Sequence, residues 1–171
     1  KTQLQEHLLF MTGVDRANGH KPAAISPLFH PALAEVPRPD PAKLNYNLNR
    51  ALSAVVPLQA RAPEDAFSAS YLGTEREGNA VLISEDGLLL TIGYLINECD
   101  LIMVGTKIGG VAEAHVIAYD YETGLGLIRA TEDLGVTPLE LGHSSAVRAG
   151  DTLTVGAHGG KAQAIAAEIS A

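Results

Sequence analysis

Six histidines, His7, His20, His30, His115, His143 and His158, are the side chains of this chain best suited to ligate a metal or to move a proton near neutral pH. No two of them stand at i, i+2 or i, i+4, and the single cysteine, Cys99, adds no cluster, so the tight ligand spacing of a structural metal site is absent. His143 and His158 both fall at the ends of apolar stretches, where a turn could bring them together. They are the weak metal candidates, set against the plainer reading of solvent-exposed loop histidines. Gly142-His143-Ser144-Ser145-Ala146 approximates a nucleophile elbow but lacks the final glycine. The following Val147-Arg148-Ala149-Gly150-Asp151 reads as a turn into a strand, whereas an elbow must join a strand to a helix. Gly124-Leu125-Gly126 supplies two glycines of a dinucleotide fingerprint, but Arg129 takes the third place and no helix follows. No cofactor is expected.

The elements that would position such residues are short. Nine prolines, seventeen glycines, three phenylalanines and no tryptophan within 171 residues favour many brief elements over long helices, in a chain long enough for one domain or a little more. A net charge of −8 argues against nucleic acid, which needs a basic face to neutralise phosphates. One cysteine excludes an intrachain disulfide, and Cys99, after an apolar stretch and beside Asp100, reads as a buried structural thiol. No apolar run is long enough to span a membrane as a helix. The chain starts at Lys1 without a methionine and shows no basic-then-apolar leader; a cleaved signal or proteolytic trimming would leave the same start, so the compartment stays open.

Leu4, Leu8 and Met11 predict a short amphipathic helix over residues 1–12. Five prolines between Gly13 and Asp40 predict an extended arm, because proline blocks both helix and sheet ladders. Asp40-Pro41 is a helix start, and Leu44, Leu48 and Leu52 follow at i, i+4, i+8. From Ser53 the period becomes that of strands. The first covers Ala54–Ala60, with Pro57 marking an edge. The others are Asn79–Ser84, Leu88–Ile92, Leu101–Thr106, Val111–Ala118, Gly126–Ala130, Thr152–Gly156 and Ala162–Ile169, divided by turns at Asp86-Gly87, Gly109-Gly110 and Gly150-Asp151. Short strands at close spacing with turn signals predict an all-β antiparallel barrel or sandwich.

The stretch Asn79–Arg129 resembles the first barrel of trypsin-like serine proteases of the HtrA/Deg type. Two apolar strands flank the Asp86-Gly87 turn, followed by Ile92-Gly93-Tyr94-Leu95-Ile96 and then Asp120-Tyr121-Glu122-Thr123-Gly124-Leu125-Gly126-Leu127-Ile128. The family carries Thr-Asn-x-His-Val-Val and Asp-x-x-Thr-Asp-Leu-Ala-Leu in these places. The likeness continues through Pro138-Leu139-Glu140-Leu141-Gly142 and Arg148-Ala149-Gly150-Asp151, and the family's Gly-rich turn would fall at Ala157-His158-Gly159-Gly160. It covers about Ala51 to Ala171. It implies a chymotrypsin/trypsin-like double antiparallel β-barrel, with a helical and Pro-rich extension over 1–50, a first barrel over 51–133, and the first strands of an incomplete second barrel over 134–171. It further implies a periplasmic setting and a nucleophile in the second barrel, beyond the residues present. An incomplete barrel leaves strand edges bare, so the expectation is completion by a further segment, a companion chain or a second copy.

Laid on this chain, the family's histidine falls on Tyr94 and its aspartate on Gly124. A tyrosine phenol, an acid of pKa about 10, is protonated at neutral pH and cannot take the serine proton, and glycine has no side chain to orient a base. Loss of a triad member costs a factor of about 10⁴–10⁶ in rate. His115, Asp120 and Glu122 lie near the emptied positions, but in a strand–loop–strand setting they read as solvent-facing or turn-capping groups. The leading expectation is a catalytically silent protease homologue that binds a peptide or protein in extended form. Two alternatives stand beside it: an active serine endopeptidase with its nucleophile past residue 171 and an unconventional base, and a small-ligand or metal-binding barrel using His143 and His158.

Overall fold

Alternation of outward and inward residues along each strand builds the core of this protein. In the structure, a computed structural model describing residues 37–158 and 160–170, six strands close into an antiparallel barrel. They are β1 (Val55–Arg61), β2 (Glu75–Leu82), β3 (Leu88–Ile92), β4 (Leu101–Gly105), β5 (Val111–Tyr119) and β6 (Leu125–Ala130). Their order around the barrel is β1-β2-β3-β6-β5-β4, and pairing of β1 with β4, from Leu58 opposite Val104 to Arg61 opposite Leu101, completes the ring. Small inward residues, Ala60, Ala80, Ala112, Ala114 and Ala130, alternate with the large Leu58, Leu89, Val104 and Ile128. Alternating small and large inward residues suit the interior of a small barrel. Full burial of a leucine or isoleucine such as Leu58, Leu89 or Ile128 contributes about 1.5–3 kcal/mol each. A bulge between Val116 and Ala118 ends the inward alternation of β5 and turns its last residues outward.

Closure of the barrel corrects the expectation that Pro57 marks an edge strand. Pro57 lies opposite Asn79 of β2, while the ladder to β4 begins one residue later, at Leu58. The ladder to β4 does not extend to Pro57, so no ladder bond there needs its missing N–H, and its ring packs over Gly105, the last residue of β4, where a Cβ would collide with it.

The helix expected from Asp40 through Leu52 is broken. Asp40 caps a single 3-10 turn, Pro41–Lys43, by accepting from the Ala42 amide at 3.1 Å. Leu44 is extended, and Asn47 then caps a separate helix α1 (Leu48–Ser53) by accepting from the Arg50 amide at 3.1 Å. Asn47 thus offers the chain a second N-cap where the leucine spacing suggests continuous helix. The leucines still share one destination: Leu48 and Leu52 are buried with Ala164, and Leu44 packs against them.

Beyond the barrel, β7 (Thr152–Val155) and β8 (Ile165–Glu168) form a two-stranded antiparallel sheet. The Leu139 amide donates to the Leu82 carbonyl at 2.8 Å, fixing the intervening connection to the barrel. The Tyr46 hydroxyl bonds Thr154 Oγ1 at 2.8 Å, the Ala166 amide donates to the Pro37 carbonyl at 2.8 Å, and Arg38 donates to the carbonyls of Ala162 and Ala164. Two strands differ from their expected limits by more than one residue. β2 begins at Glu75 and not Asn79, and β8 is confined to Ile165–Glu168 because a 3-10 turn, Gly160–Ala162, precedes it. No helix of the described residues is long and apolar enough to cross a membrane. The helix expected over 1–12 and the arm up to residue 36 lie outside the described residues.

Candidate functional site

β3 runs directly into a 3-10 turn, Gly93–Leu95, whose middle residue is Tyr94. β6 begins immediately after Gly124. Because Ile92 pairs with Leu125, both loops leave the same end of the same strand pair, and the Gly93 amide donates to the Gly124 carbonyl at 2.8 Å. The approach depends on glycine. A Cβ at Gly93 would strike the ring of Tyr119, and one at Gly126 would strike Ile96. Tyr94 and Gly124, far apart in the chain, thus stand on neighbouring turns.

The side chains differ sharply. Tyr94 is 48% exposed, and its hydroxyl has no hydrogen-bond partner among the described residues. Gly124 has φ +73°, in the left-handed region, with open space where a Cβ would stand. Its amide donates to the Asp120 carbonyl at 2.8 Å, which closes the turn. The Asp120 carboxylate is occupied within that turn, accepting from the Thr123 hydroxyl at 2.6 Å and the Glu122 amide at 3.0 Å. The Thr123 hydroxyl first, and the Glu122 amide next, hold its carboxyl below the usual aspartate range. This is the turn-capping role expected of it. Glu122 is exposed, and His115 is an exposed residue of β5 opposite Arg129.

Support for the Tyr94 turn comes from a residue that sequence reasoning missed. Arg76, 4% exposed, points into the end of the barrel from β2. Its guanidinium donates to the carbonyls of Tyr94 at 2.8 Å, Asn97 at 2.6 Å and Gly73 at 3.2 Å, and to Ser68 Oγ at 2.8 Å. No carboxylate stands within ion-pair distance of it among the described residues. Glu98, at φ 57°, accepts from the amides of Ser68 at 2.8 Å and Phe67 at 3.3 Å. Its carboxyl is held below the usual glutamate range, first by the Ser68 hydroxyl and then by the Ser68 amide. Arg76, Ser68 and Glu98 together tie the loop before helix α2 (Ala69–Leu72) to the turn carrying Tyr94. Glu75, Arg76 and Glu77 are all charged, so the sequence carries no signal that the middle one turns inward.

Cys99 is half-buried, its Sγ 3.4 Å from the Leu95 carbonyl, and burial pushes its thiol up, as a structural thiol requires. His143 precedes a 3-10 turn, Ser144–Ala146, that leads on to β7, so the elbow geometry is absent. His158 is an exposed residue beyond β7, and its amide and Nδ1 reach Asn79 Oδ1 at 3.1 and 2.7 Å. No group of three potential metal ligands occurs among the described residues.

A closed six-stranded antiparallel barrel whose third and sixth strands present two hydrogen-bonded turns, followed by the opening hairpin of another sheet, is the amino-terminal half of a trypsin-like double barrel. Residues 78–171, more than half of the chain, match the trypsin-like peptidase domain family. Serine protease HTR4 of Rattus norvegicus is 35% identical over 74 residues, 43% of this chain and 15% of that protein. Serine endoprotease DegS of Salmonella typhimurium is 26% identical over 113 residues, 66% of this chain and 32% of DegS. The solved structure of the HtrA-type protease AlgW with tripeptide superposes with a TM-score of 0.58 at 25% identity, covering 72% of this chain and 38% of that one. The chain belongs to the trypsin-like peptidase domain family, in its HtrA/Deg-type branch. It spans about a third of DegS and less than a fifth of HTR4.

Proposed function

We infer that this domain is a catalytically silent member of the branch, kept as a peptide- or protein-binding module. The observation that carries the reading is the pairing of the Gly93 amide with the Gly124 carbonyl at 2.8 Å. By resemblance, the turns joined by that bond are those that bear the base and its orienting carboxylate in active relatives. At these places the chain offers a phenol and no side chain at all. A phenol stays protonated at neutral pH and cannot accept the serine proton. Of the two carboxylates just before Gly124, Asp120 is held by its own turn and Glu122 is exposed. Extended peptides bind protease-like clefts by backbone pairing, which needs no triad. A second copy or a further segment completing the β7–β8 sheet belongs to the same reading, since that sheet has only two strands among the described residues.

Labelling of the full-length protein with a fluorophosphonate probe, beside cleavage of casein and of fluorogenic peptides, tests this. The silent module gives no labelled serine and no turnover above background. A labelled serine with turnover that vanishes on its substitution to alanine would establish instead the endopeptidase with an unconventional base.

A further inference from the structure

The protein carries a formal charge of −8, yet one cavity is lined by cations without any acid. It has a volume of about 340 Å³ and opens where helix α1, the β4–β5 turn and the loop between β7 and β8 meet. Lys107, Lys161 and His158 are among its polar lining residues, and Val55, Pro57 and Val136 among its apolar ones. Neither lysine forms an ion pair among the described residues, whose two ion pairs are Lys43–Asp40 and Arg129–Asp86. Two ammonium groups left unneutralised around one concavity, in a chain with an excess of acids, make a local field of the opposite sign to the whole. Two further cavities differ: one is lined by both Glu140 and Arg50, and another by Glu85, Asp86, Glu132 and Asp133.

His158 is held in a defined orientation. Its backbone N–H, which can only donate, meets Asn79 Oδ1 at 3.1 Å, and this assigns that atom as the amide oxygen. The ring Nδ1 meets the same oxygen at 2.7 Å and must therefore carry a proton. The imidazole is thereby fixed on the barrel through Nδ1, and its Nε2 remains without a partner among the described residues.

We propose that this cavity is a binding site for a small organic anion, its phosphate or carboxylate held by Lys107 and Lys161 and its apolar body laid against Val55, Pro57 and Val136. The volume lies within the range of small-molecule sites, about 300–1,000 Å³, and the pairing of apolar wall with a few convergent polar groups is typical of them. None of the lining residues belongs to the Gly93–Leu95 turn or to the turn ending at Gly124, so the proposal stands apart from the peptide-binding reading.

Titration of the full-length protein with hexyl phosphate, hexanoate, inorganic phosphate and hexanol, by calorimetry and by chemical-shift changes, separates the contributions. Hexyl phosphate or hexanoate should bind at one site, with inorganic phosphate at least tenfold weaker and hexanol silent; the stronger of the first two identifies the anion. The double variant Lys107→Ser/Lys161→Ser should weaken binding by at least tenfold. Both lysines are exposed, so the variant is expected to fold, which circular dichroism checks. Lys43→Ser, a cation outside the cavity, should change nothing. Absence of binding at millimolar concentration, or equal binding by the double variant and the parent, would overturn the assignment.

Discussion

The amide of Gly93 and the carbonyl of Gly124 meet at 2.8 Å, and this bond makes one unit of the turn carrying Tyr94 and the turn that begins β6. Pairing of Ile92 with Leu125 extends the ladder of β3 and β6 up to it. The two positions on which catalysis would depend are therefore joined to each other through backbone atoms, and the Tyr94 side chain takes no part in that joint.

Gly124 is the stricter of the two. At φ +73° an L-residue pays for the left-handed conformation by about 1–2 kcal/mol, and the open space around its Cβ position leaves the backbone as the deciding factor. Gly124→Ala should lower stability by that amount, seen as a reduced urea midpoint with an unchanged slope. Gly124→Asn should lose less, since asparagine tolerates the left-handed region better. Tyr94→Phe, at a half-exposed ring whose hydroxyl is unbonded, should stay within about 0.5 kcal/mol of the parent. Equal effects at the two positions would contradict this account.

Arg76 should be the most sensitive polar residue of the domain. Arg76→Met removes the donor that serves three carbonyls and the Ser68 hydroxyl, leaving buried acceptors unpaired, each at about 1–3 kcal/mol. A total loss of about 3 kcal/mol or more is expected in urea unfolding. Arg76→Lys should not restore it, because one ammonium cannot reach acceptors spread around a planar fork. Amide exchange at Ile96 and Cys99, whose N–H groups close the Tyr94 turn, should accelerate in both variants before the barrel strands do.

Stability should fall in acid partly through Glu98. Its carboxyl titrates lower in the folded protein than in the unfolded chain, through the Ser68 hydroxyl, the Ser68 amide and the Phe67 amide. The unfolded state therefore binds the proton more readily. The stabilisation is present above the ordinary glutamate value of about 4.3 and is lost as pH falls through the lowered folded value. Glu98→Gln should flatten the pH dependence of the unfolding midpoint in that window while leaving its slope between pH 6 and 8 unchanged. Asp86, lowered by the Ser84 hydroxyl and then by Arg129, and Asp120, lowered by Thr123, act in the same direction.

Strands whose alternation comes from apolar residues were readable from sequence: Leu88–Ile92 is placed to the residue, and β4, β5, β6 and β7 to within one. The first half of β2 was not, because Glu75-Arg76-Glu77-Gly78 has no apolar alternation. Its inward residue is a cation whose partners are carbonyls from turns distant in sequence, and no local pattern encodes them. The break at Asn47 was hidden for the opposite reason: Leu44, Leu48 and Leu52 keep helical spacing because they share a core, although the backbone between Leu44 and Leu48 is not helical. At the candidate site, spacing and resemblance selected Tyr94 and Gly124. Their adjacency, the left-handed φ of Gly124 and the Arg76 bracket became visible only with the strands paired.

That shared core also holds the β7–β8 sheet. Leu52 reaches from α1 to Ala164 and lies against Gly156, where an added Cβ would meet its Cδ2 at 2.5 Å. Leu52→Ala removes this contact and should cost about 2–5 kcal/mol, as for a buried leucine whose surroundings relax only in part. The loss should be local in its first expression. Amides of β7 and β8 should exchange faster than those of β1 and β2, because the hairpin is joined to the rest by α1, the Tyr46–Thr154 bond and the Pro37 and Arg38 contacts, and not by the barrel ladder. Gly156→Ala should produce the same pattern by pressing against Leu52 from the other side, and combining it with Leu52→Ala should give less than the sum of the two losses, because the smaller side chain makes room for the added methyl. Strict additivity of the two substitutions would show that they do not meet in the folded protein.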